Sequence, residues 1–309
     1  MVVGDGAMNV RSGTRGSFRL RPRIVLLAAL LGAGFWLRSL PPIQVAPGLA
    51  AWWPWGTTTT VTLYFADDRF FFPVSRQMPT NDDLPRAALQ ALLAGPRAGS
   101  GLTSAIPPGV EIRSLKLADG VAHVDVSTAF LVEHDDTHAA ETAIIETMTA
   151  LPGVTSVAVS VEGKSLAESA TRVPLLYYAS ANGLVAVPAS ATNPRAALTM
   201  YLSGPSDPKL TSLPPDVQLL KYEYDPADGL LALNFTYTPS VRVLALEKPE
   251  RMRLLLLGLI AGLTEFSEVR AVRLDFGGQA RLGLGQCSDL LRTPQPRPAL
   301  LNDERLLER

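Results

Sequence analysis

An internal repeat with a period of about 110 residues constrains this 309-residue chain more than any other feature. Pro85-Arg86-Ala87-Ala88-Leu89 recurs 109 residues later as Pro194-Arg195-Ala196-Ala197-Leu198, and Gly95-Pro96 recurs at the same offset as Gly204-Pro205. Three shorter pairs follow in the same order, with small changes of offset that indicate loops of different length: Leu-Thr-Ser at 102 and 210, Pro-Pro at 107 and 214, and Asp-Gly at 119 and 228. Solenoid repeats have periods of roughly 20–50 residues, so this period indicates a duplicated domain.

Both copies contain the same series of predicted strands. Each opens with an apolar stretch of β-branched and aromatic residues, at 61–65 and 175–178. A short second strand follows at 72–74 and 185–188. Later segments alternate between apolar and other residues, which is the period of a half-buried strand, and an Asp-Gly hairpin turn precedes the first of them in each copy: 122–126 and 231–235, then 157–161 and 272–276.

Two helices per copy complete the pattern. Pro85 and Pro194 suit a first helical turn, Asn193 is the expected N-cap of the second copy, and the Gly-Pro pair ends each helix. The second helices are predicted over about 139–150 and 249–263. The predicted fold class is therefore α/β (α+β), with two tandem copies of a small two-layer domain whose helices pack on one sheet.

The N-terminal region has the pattern of a membrane-targeting segment. Five arginines between Arg11 and Arg23 precede the apolar run Ile24 to Leu37, which predicts a cytoplasmic N-terminus and an exported remainder. Fourteen apolar residues are fewer than the ~20 of a typical span. A retained anchor and a cleaved signal peptide both stay open, and we favour the anchor because Gly48-Leu49-Ala50 is a poor cleavage site.

These patterns divide the chain into six segments. They are a basic cytoplasmic tail at 1–23, a membrane anchor or signal segment at 24–40, a linker at 41–59, a first domain at 60–165, a second domain at 173–280 and a flexible polar tail at 287–309. The chain is therefore expected in the cytoplasmic membrane of a bacterium as a single-pass protein, with both domains on the outer side.

Composition and motifs give little support to catalysis or nucleic-acid binding. The formal net charge of −1 provides no electrostatic attraction for a phosphate backbone. Cys287 is the only cysteine, which excludes an intrachain disulfide and a cysteine-rich zinc site. The sequence contains no Walker loop, nucleophile elbow or dinucleotide fingerprint. We expect no enzymatic activity, no cofactor and no metal, and we interpret Cys287 as incidental.

Four polar residues are candidate site residues. His134 and His138 have a spacing that could place two zinc ligands on one helix face, although a solvated helix start is the more common structure for such a segment. His123 is predicted on the polar side of its strand. Asp125 has an amide, Asn234, at the equivalent position of the second copy, so the two do not form a carboxylate pair of the kind a glycosidase uses.

The repeat resembles the GerM domain family, a sporulation and germination domain of bacterial envelope proteins. The likeness covers roughly residues 60–280 and is closer in the first copy. It rests on Tyr64 and Tyr177 in the first strands, on Leu93-Ala94-Gly95-Pro96 and Leu202-Ser203-Gly204-Pro205 at the helix ends, on Val124 to Ser127, and on Gly153-Val154 with Glu162-Gly163. The resemblance implies a small module related to ring-building motifs, anchored outside the cytoplasmic membrane, with no enzymatic activity.

Two functions from different classes follow as expectations. The first is a protein–protein interaction or assembly scaffold of the cell envelope, acting on envelope partners or by self-association and related to sporulation or germination. The alternative is a peptidoglycan-binding module, for which the tyrosines at 177, 178, 222, 224 and 237 could line an aromatic groove. We favour the scaffold because Tyr177 matches Tyr64, which indicates a tyrosine that packs in the core.

Overall fold

The computed structural model describes residues 57–67, 70–80, 83–131, 134–166, 170–277 and 284–307, without the side chains of 134–136. The described residues belong to one compact unit, Thr57–Arg309. The predicted basic tail at 1–23, the membrane segment at 24–40 and most of the linker at 41–59 lie outside the described residues. Within the described ranges, no helix is long and apolar enough to cross a membrane.

The first copy contains the predicted elements in their predicted order, together with strands at 112–118, 164–165 and 170–171 for which no bounds were predicted. Its bounds are β1 (Thr58–Asp67), β2 (Phe70–Pro79), α1 (Leu84–Leu93), β3 (Ile112–Ala118), β4 (Val121–Val126), α2 (His134–Thr149), β5 (Ser156–Val161), β6 (Lys164–Ser165) and β7 (Ala170–Thr171).

The second copy repeats the order of β1 to β5 and inserts one additional helix before the last of these strands. Its bounds are β8 (Leu175–Ala179), β9 (Leu184–Pro188), α3 (Pro194–Ser203), β10 (Leu219–Asp225), β11 (Leu230–Phe235), α4 (Pro239–Glu247), α5 (Pro249–Leu263) and β12 (Ala271–Phe276), followed by α6 (Asp289–Arg292) and β13 (Gln295–Pro296). Helix α4 has no predicted counterpart.

The repeated sequence blocks have local structural roles. Asn193 caps α3 as expected, since its side chain accepts a hydrogen bond of 2.9 Å from the Ala196 amide. Gly95 and Gly204 end the first helices with φ of +82° and +85°, a conformation that favours glycine. The threonine of each Leu-Thr-Ser block forms an isolated bridge with the last part of the opening strand, Thr103 with Ala66 and Thr211 with Ala179.

Each copy contains a mixed sheet whose central strand has one antiparallel and one parallel neighbour. In the first copy β3 pairs antiparallel with β4, and β4 pairs parallel with β5. In the second copy β10, β11 and β12 have the same arrangement. A parallel pair requires a crossover connection, which α2 supplies in the first copy and α4 with α5 supply in the second.

The opening hairpins of the two copies pair with each other. They form a four-stranded sheet in the order β1-β2-β9-β8, with Phe71 opposite Ala186 at the central junction. The mixed α/β class and the two-copy description are confirmed, but the single sheet expected for each copy is divided into a local sheet and one half of this shared sheet. The two copies are therefore structurally interdependent.

The expectation of a flexible polar tail at 287–309 is wrong for the described residues 287–307. Cys287, Leu290, Leu291 and Leu301 are buried, and so are the polar side chains of Asn302 and Glu304. Strand β13 pairs with β12, which extends the sheet of the second copy. Leu290, Leu291 and Leu301 supply the physical reason, because their side chains gain free energy by leaving water.

Candidate functional site

A buried polar cluster lies where the two copies meet. Its centre is the equivalent pair Tyr64 and Tyr177, whose side chains are fully buried and whose hydroxyl oxygens lie 3.2 Å apart. Strands β1 and β8 are the outer strands of the shared sheet, about 14 Å apart at the usual strand spacing. Both rings must therefore reach across β2 and β9 to meet, which places the contact at the junction between the copies.

Arg172, in the segment that connects the copies, contacts both tyrosines. One of its terminal nitrogens lies 3.0 Å from the Tyr64 hydroxyl, 3.3 Å from the Tyr177 hydroxyl and 2.9 Å from the Glu265 carboxylate. The Arg172 side chain is only 18% exposed. A buried cation needs a compensating anion, and Glu265, which follows α5, provides it.

Arg297 brings the C-terminal segment into the same cluster. Its guanidinium donates to the Tyr177 hydroxyl at 3.0 Å and to the Glu265 carboxylate at 2.6 Å, and its carbon atom lies 5.8 Å from the centre of the Tyr177 ring. The Tyr177 hydroxyl itself donates to Glu265 at 2.6 Å. Glu265, which is 2% exposed, therefore forms ion pairs with two arginines and accepts a hydrogen bond from one tyrosine.

Glu146, on α2, is the least satisfied member of the cluster. Burial raises the pKa of its carboxyl group to about 7, and the Arg172 guanidinium offsets only part of this effect. The Arg172 Nε atom lies 3.4 Å from Glu146 Oε2, yet neither atom has a hydrogen-bond partner among the described residues. Arg172 directs its hydrogens toward Glu265 and the tyrosines instead.

The cluster is suited to holding the two copies together. Burial raises the pKa of both tyrosine hydroxyls, so they stay protonated at neutral pH and act as fixed hydrogen-bond donors and acceptors. The hydroxyls and Glu265 are engaged with one another and with the arginines.

A second junction is formed by the C-terminal strap, which we define as residues 295–307. The Asn302 side chain donates to the Pro73 carbonyl at 2.7 Å and to the Leu184 carbonyl at 2.8 Å, and it accepts from the Leu184 amide at 2.8 Å. The Asn302 carbonyl accepts from the Ser75 amide at 3.0 Å. One residue thus bonds to β2 of the first copy and to β9 of the second.

Glu304 fixes the end of the strap to the first copy. Its carboxylate, 2% exposed, receives two hydrogen bonds of 2.9 Å from the Arg76 guanidinium on β2 and a further one from the Arg97 amide. Arg76 also donates to the Gly95 carbonyl at 3.0 Å, just beyond the end of α1. The strap therefore connects the sheet of the second copy, through β13, with the first helix of the first copy.

Asp125 has a structural role at the end of the first local sheet. Its carboxylate accepts 2.8 Å hydrogen bonds from the Ser160 hydroxyl and the Gly163 amide, which stabilises the turn after β5. The Gly163 amide and the Ser160 hydroxyl lower the pKa of Asp125, with a smaller contribution from Arg113. The carboxylate is thus ionised and committed to a turn. His123 is exposed on the polar side of β4, as expected.

Only one side chain of the histidine pair is described by the structure. His138 is exposed near the start of α2, and the side chain of His134 lies outside the described residues. Among the residues that are described, no group of three histidine, cysteine or acidic side chains is placed to hold a metal ion.

Cys287 lies in a buried environment. The expectation that Cys287 lies in a polar region is wrong: the residue is fully buried and its thiol lies 3.4 Å from the Pro249 carbonyl. Tyr177 and Tyr178 are core residues of β8, whereas Tyr222 and Tyr224 lie on β10. Tyr177 and Tyr178 are therefore packed in the core and do not line an exposed aromatic groove.

The residues that form the two junctions were missed by sequence reasoning, apart from the Tyr64–Tyr177 equivalence. Arg172 lies in the connecting segment, Glu265 follows a helix, and Arg297, Asn302 and Glu304 belong to the supposed tail, so no repeated block marks them. The leucine pairs of the tail, at 290–291 and 300–301, were the available signal, since they argue against a mobile polar segment.

The fold and its junctions define a class of protein, a tandem α/β module in which two copies of one domain form a single compact unit. A family model described as sporulation and spore germination, named Germane, matches residues 62–167 and 175–281. The chain belongs to this family.

A solved structure agrees on the fold. The tandem GerMN domains of the sporulation protein GerM from Bacillus subtilis match with a TM-score of 0.61 at 17% identity, covering 80% of this chain and 99% of that one. A putative lipoprotein from Clostridium perfringens (TM-score 0.28, 19% identity, 37% and 88% coverage) and the first GerMN domain of the Bacillus subtilis protein (0.29, 18%, 35% and 86%) match over shorter stretches. No curated protein matches.

Proposed function

We propose that this protein is a non-catalytic assembly scaffold of the bacterial cell envelope, which binds protein partners through a surface built from both copies. The observation that carries the proposal is the double junction. The Arg172 cluster and the C-terminal strap fix the copies in one relative orientation. A fixed orientation presents two related surfaces to a partner without the entropic cost of ordering them on binding.

We further propose that the basic segment 1–23 and the apolar segment 24–40 anchor the chain in the cytoplasmic membrane, with the repeats outside. External protease applied to intact, wall-stripped cells should then digest the repeats while leaving a cytoplasmic marker untouched. Protection of the repeats in cells that stay intact would contradict this topology.

The scaffold proposal is tested by cross-linking the full chain in native membranes and recovering its complexes. Arg172→Met removes the cation that bonds to both copies, and we expect it to reduce recovery of the cross-linked partner several-fold while the chain still reaches the membrane. Arg113→Met is the matched control, because Arg113 is half exposed and lies away from the junction. His138→Ala and Asp125→Ala should leave recovery nearly unchanged.

A separate measurement addresses the peptidoglycan alternative. The purified chain is mixed with isolated peptidoglycan and sedimented. Sedimentation of the chain with peptidoglycan, combined with no cross-linked protein partner in membranes, would replace the scaffold proposal with a wall-binding function.

A further inference from the structure

Two equivalent edge strands, β3 and β10, lie at the open sides of the two local sheets. Each pairs on one side only, with β4 or with β11. In the described part of the chain, no backbone hydrogen bond reaches the outer side of either strand. Such an edge is a template for pairing with another strand unless its side chains prevent it.

The charged side chains of β3 are all positive, whereas those of β10 have both signs. Each strand has a register irregularity that leaves one residue without a partner on the neighbouring strand, Arg113 in β3 and Leu220 in β10. Lys116 adds a second cation to β3, which is a common protection against edge pairing. In β10, Leu220 is 56% exposed and Tyr224 is 38% exposed.

The sequence of β10 is also complementary to itself. Lys221 and Glu223 lie on the same side of the strand, since their charged groups form an ion pair of 2.7 Å, and their side chains are 60% and 55% exposed. In an antiparallel pair centred on Tyr222, Lys221 of each molecule lies opposite Glu223 of the other, and Leu220 lies opposite Tyr224.

We propose that β10 is a dimerisation edge, through which two copies of this chain pair antiparallel about Tyr222. The contact is isologous, so every cross-strand pair occurs twice, and it joins the two second-copy sheets into one continuous sheet. The same pairing of β3, about Leu115, would place Ser114 opposite Lys116 and would lack the charge pairs of β10, which explains why β10 rather than β3 is assigned. The inference rests on the proposed scaffold function and names one of its partners.

One strand pair buries less surface than a standard interface, so we expect a weak dimer with a dissociation constant on the order of 10–100 µM. Confinement to a membrane would raise the effective concentration and favour this association. The test is sedimentation velocity of the purified full chain in detergent over a range of concentrations. The wild-type chain should shift from monomer to dimer as the concentration rises.

Charge-reversal variants decide whether β10 forms the contact. Lys221→Glu and Glu223→Lys each create two like-charge pairs and should weaken the dimer at least tenfold. The double variant, which exchanges the two charges, should restore it. An equimolar mixture of the two single variants should also dimerise, because each chain then supplies the charge that the other requires.

Lys116→Glu, on β3 at the position that corresponds to Glu223, is the matched charge-reversal control and should leave dimerisation unchanged. The inference is overturned if the wild-type chain stays monomeric at about 1 mM, well above the expected constant, if the single reversals have no effect, if neither the double variant nor the mixture restores dimers, or if Lys116→Glu abolishes them. A monomeric chain that still cross-links to a different protein in membranes would overturn only this inference, and the scaffold proposal would stand.

Discussion

Asn302 is a single side chain that completes hydrogen bonds in both copies. Asn302→Ala leaves the Pro73 carbonyl and both backbone groups of Leu184 without these partners in a buried site. Each unsatisfied buried group costs about 1–3 kcal/mol, so we expect the free energy of unfolding to fall by roughly 3–5 kcal/mol in urea titrations. Leu306→Ala, at an 83% exposed position of the strap, should change it by less than about 0.5 kcal/mol.

Gly183 gives independent support for the importance of this contact. A Cβ atom at this position would lie 2.4 Å from the Asn302 Oδ1 atom, with a backbone φ of +151°. The site therefore requires glycine next to the asparagine. If Asn302→Ala destabilises the protein no more than Leu306→Ala does, the hydrogen bonds of the strap do not hold the two copies together.

The buried carboxyl group of Glu146 should make the free energy of unfolding depend on pH. Burial raises its pKa from 4.5 to about 7, so the folded state binds this proton more tightly than the unfolded state. The contribution of Glu146 to the free energy of unfolding is therefore largest below pH 4.5. It decreases as the pH rises through 7, by up to about 3 kcal/mol. Glu146→Gln should be more stable than wild type at pH 8 and should lose this part of the dependence.

The measurement is urea unfolding of both proteins at several values between pH 4.5 and pH 8.5. The difference between the two curves isolates Glu146 from the other titrating groups. A difference that does not change with pH would show that the carboxyl group keeps an ordinary pKa in the folded protein.

Helix α5 packs unusually close to strand β8. A Cβ atom at Gly258 would lie 2.3 Å from the Tyr177 carbonyl oxygen, which is backbone and cannot move aside, whereas at Gly262 the nearest atom would be 3.3 Å away. We expect Gly258→Ala to cost about 1–3 kcal/mol of stability through overpacking, despite the better helix propensity of alanine. Gly262→Ala is the matched control and should cost clearly less in the same thermal or urea measurement.

The order of elements could be predicted from sequence because local signals determine it. Proline, the Asn193 cap and the Gly-Pro pairs marked the first helices, and alternation marked β4, β5, β11 and β12. Helix α4 was missed because Val243 and Leu246 face solvent, at 50% and 61% exposure, so its apolar residues do not form a single buried stripe. Strand β2 was predicted too short, because Ser75 to Gln77 are polar and interrupt the apolar stretch that marks a strand in the sequence.

The pairing of the two copies could not be predicted in the same way. A strand such as β2 has the same hydrophobic pattern whether its neighbour belongs to its own domain or to the other copy. The residues that decide the arrangement are single polar side chains, such as Arg172 and Asn302, and no spacing rule places them. Only the equivalence of Tyr64 and Tyr177 pointed to a shared environment, and it did not indicate that the two rings meet.

At the scale of the whole molecule, we expect the strap to make the two copies unfold together. Strands β2 and β9 share a single paired position, Phe71 with Ala186, and the strap supplies additional bonds to both strands through Asn302. It also contributes Arg297 to the tyrosine cluster and Glu304 to Arg76. Deleting residues 295–309 should therefore weaken the coupling between copies more than it disturbs either local sheet.

We expect the wild-type repeats to unfold in one urea transition and the deletion variant to unfold in two. In each of the two transitions the unfolding free energy should depend less steeply on urea concentration, because each transition exposes less surface. Amide hydrogen exchange should accelerate most in β2, β9 and the segment around Arg172, whereas β4 and β11, central in their local sheets, should stay protected. Leu300→Ala, at a half-exposed strap position, serves as the control and should retain the single transition. A deletion variant that unfolds in one transition with unchanged exchange in β2 and β9 would show that the shared sheet alone couples the copies.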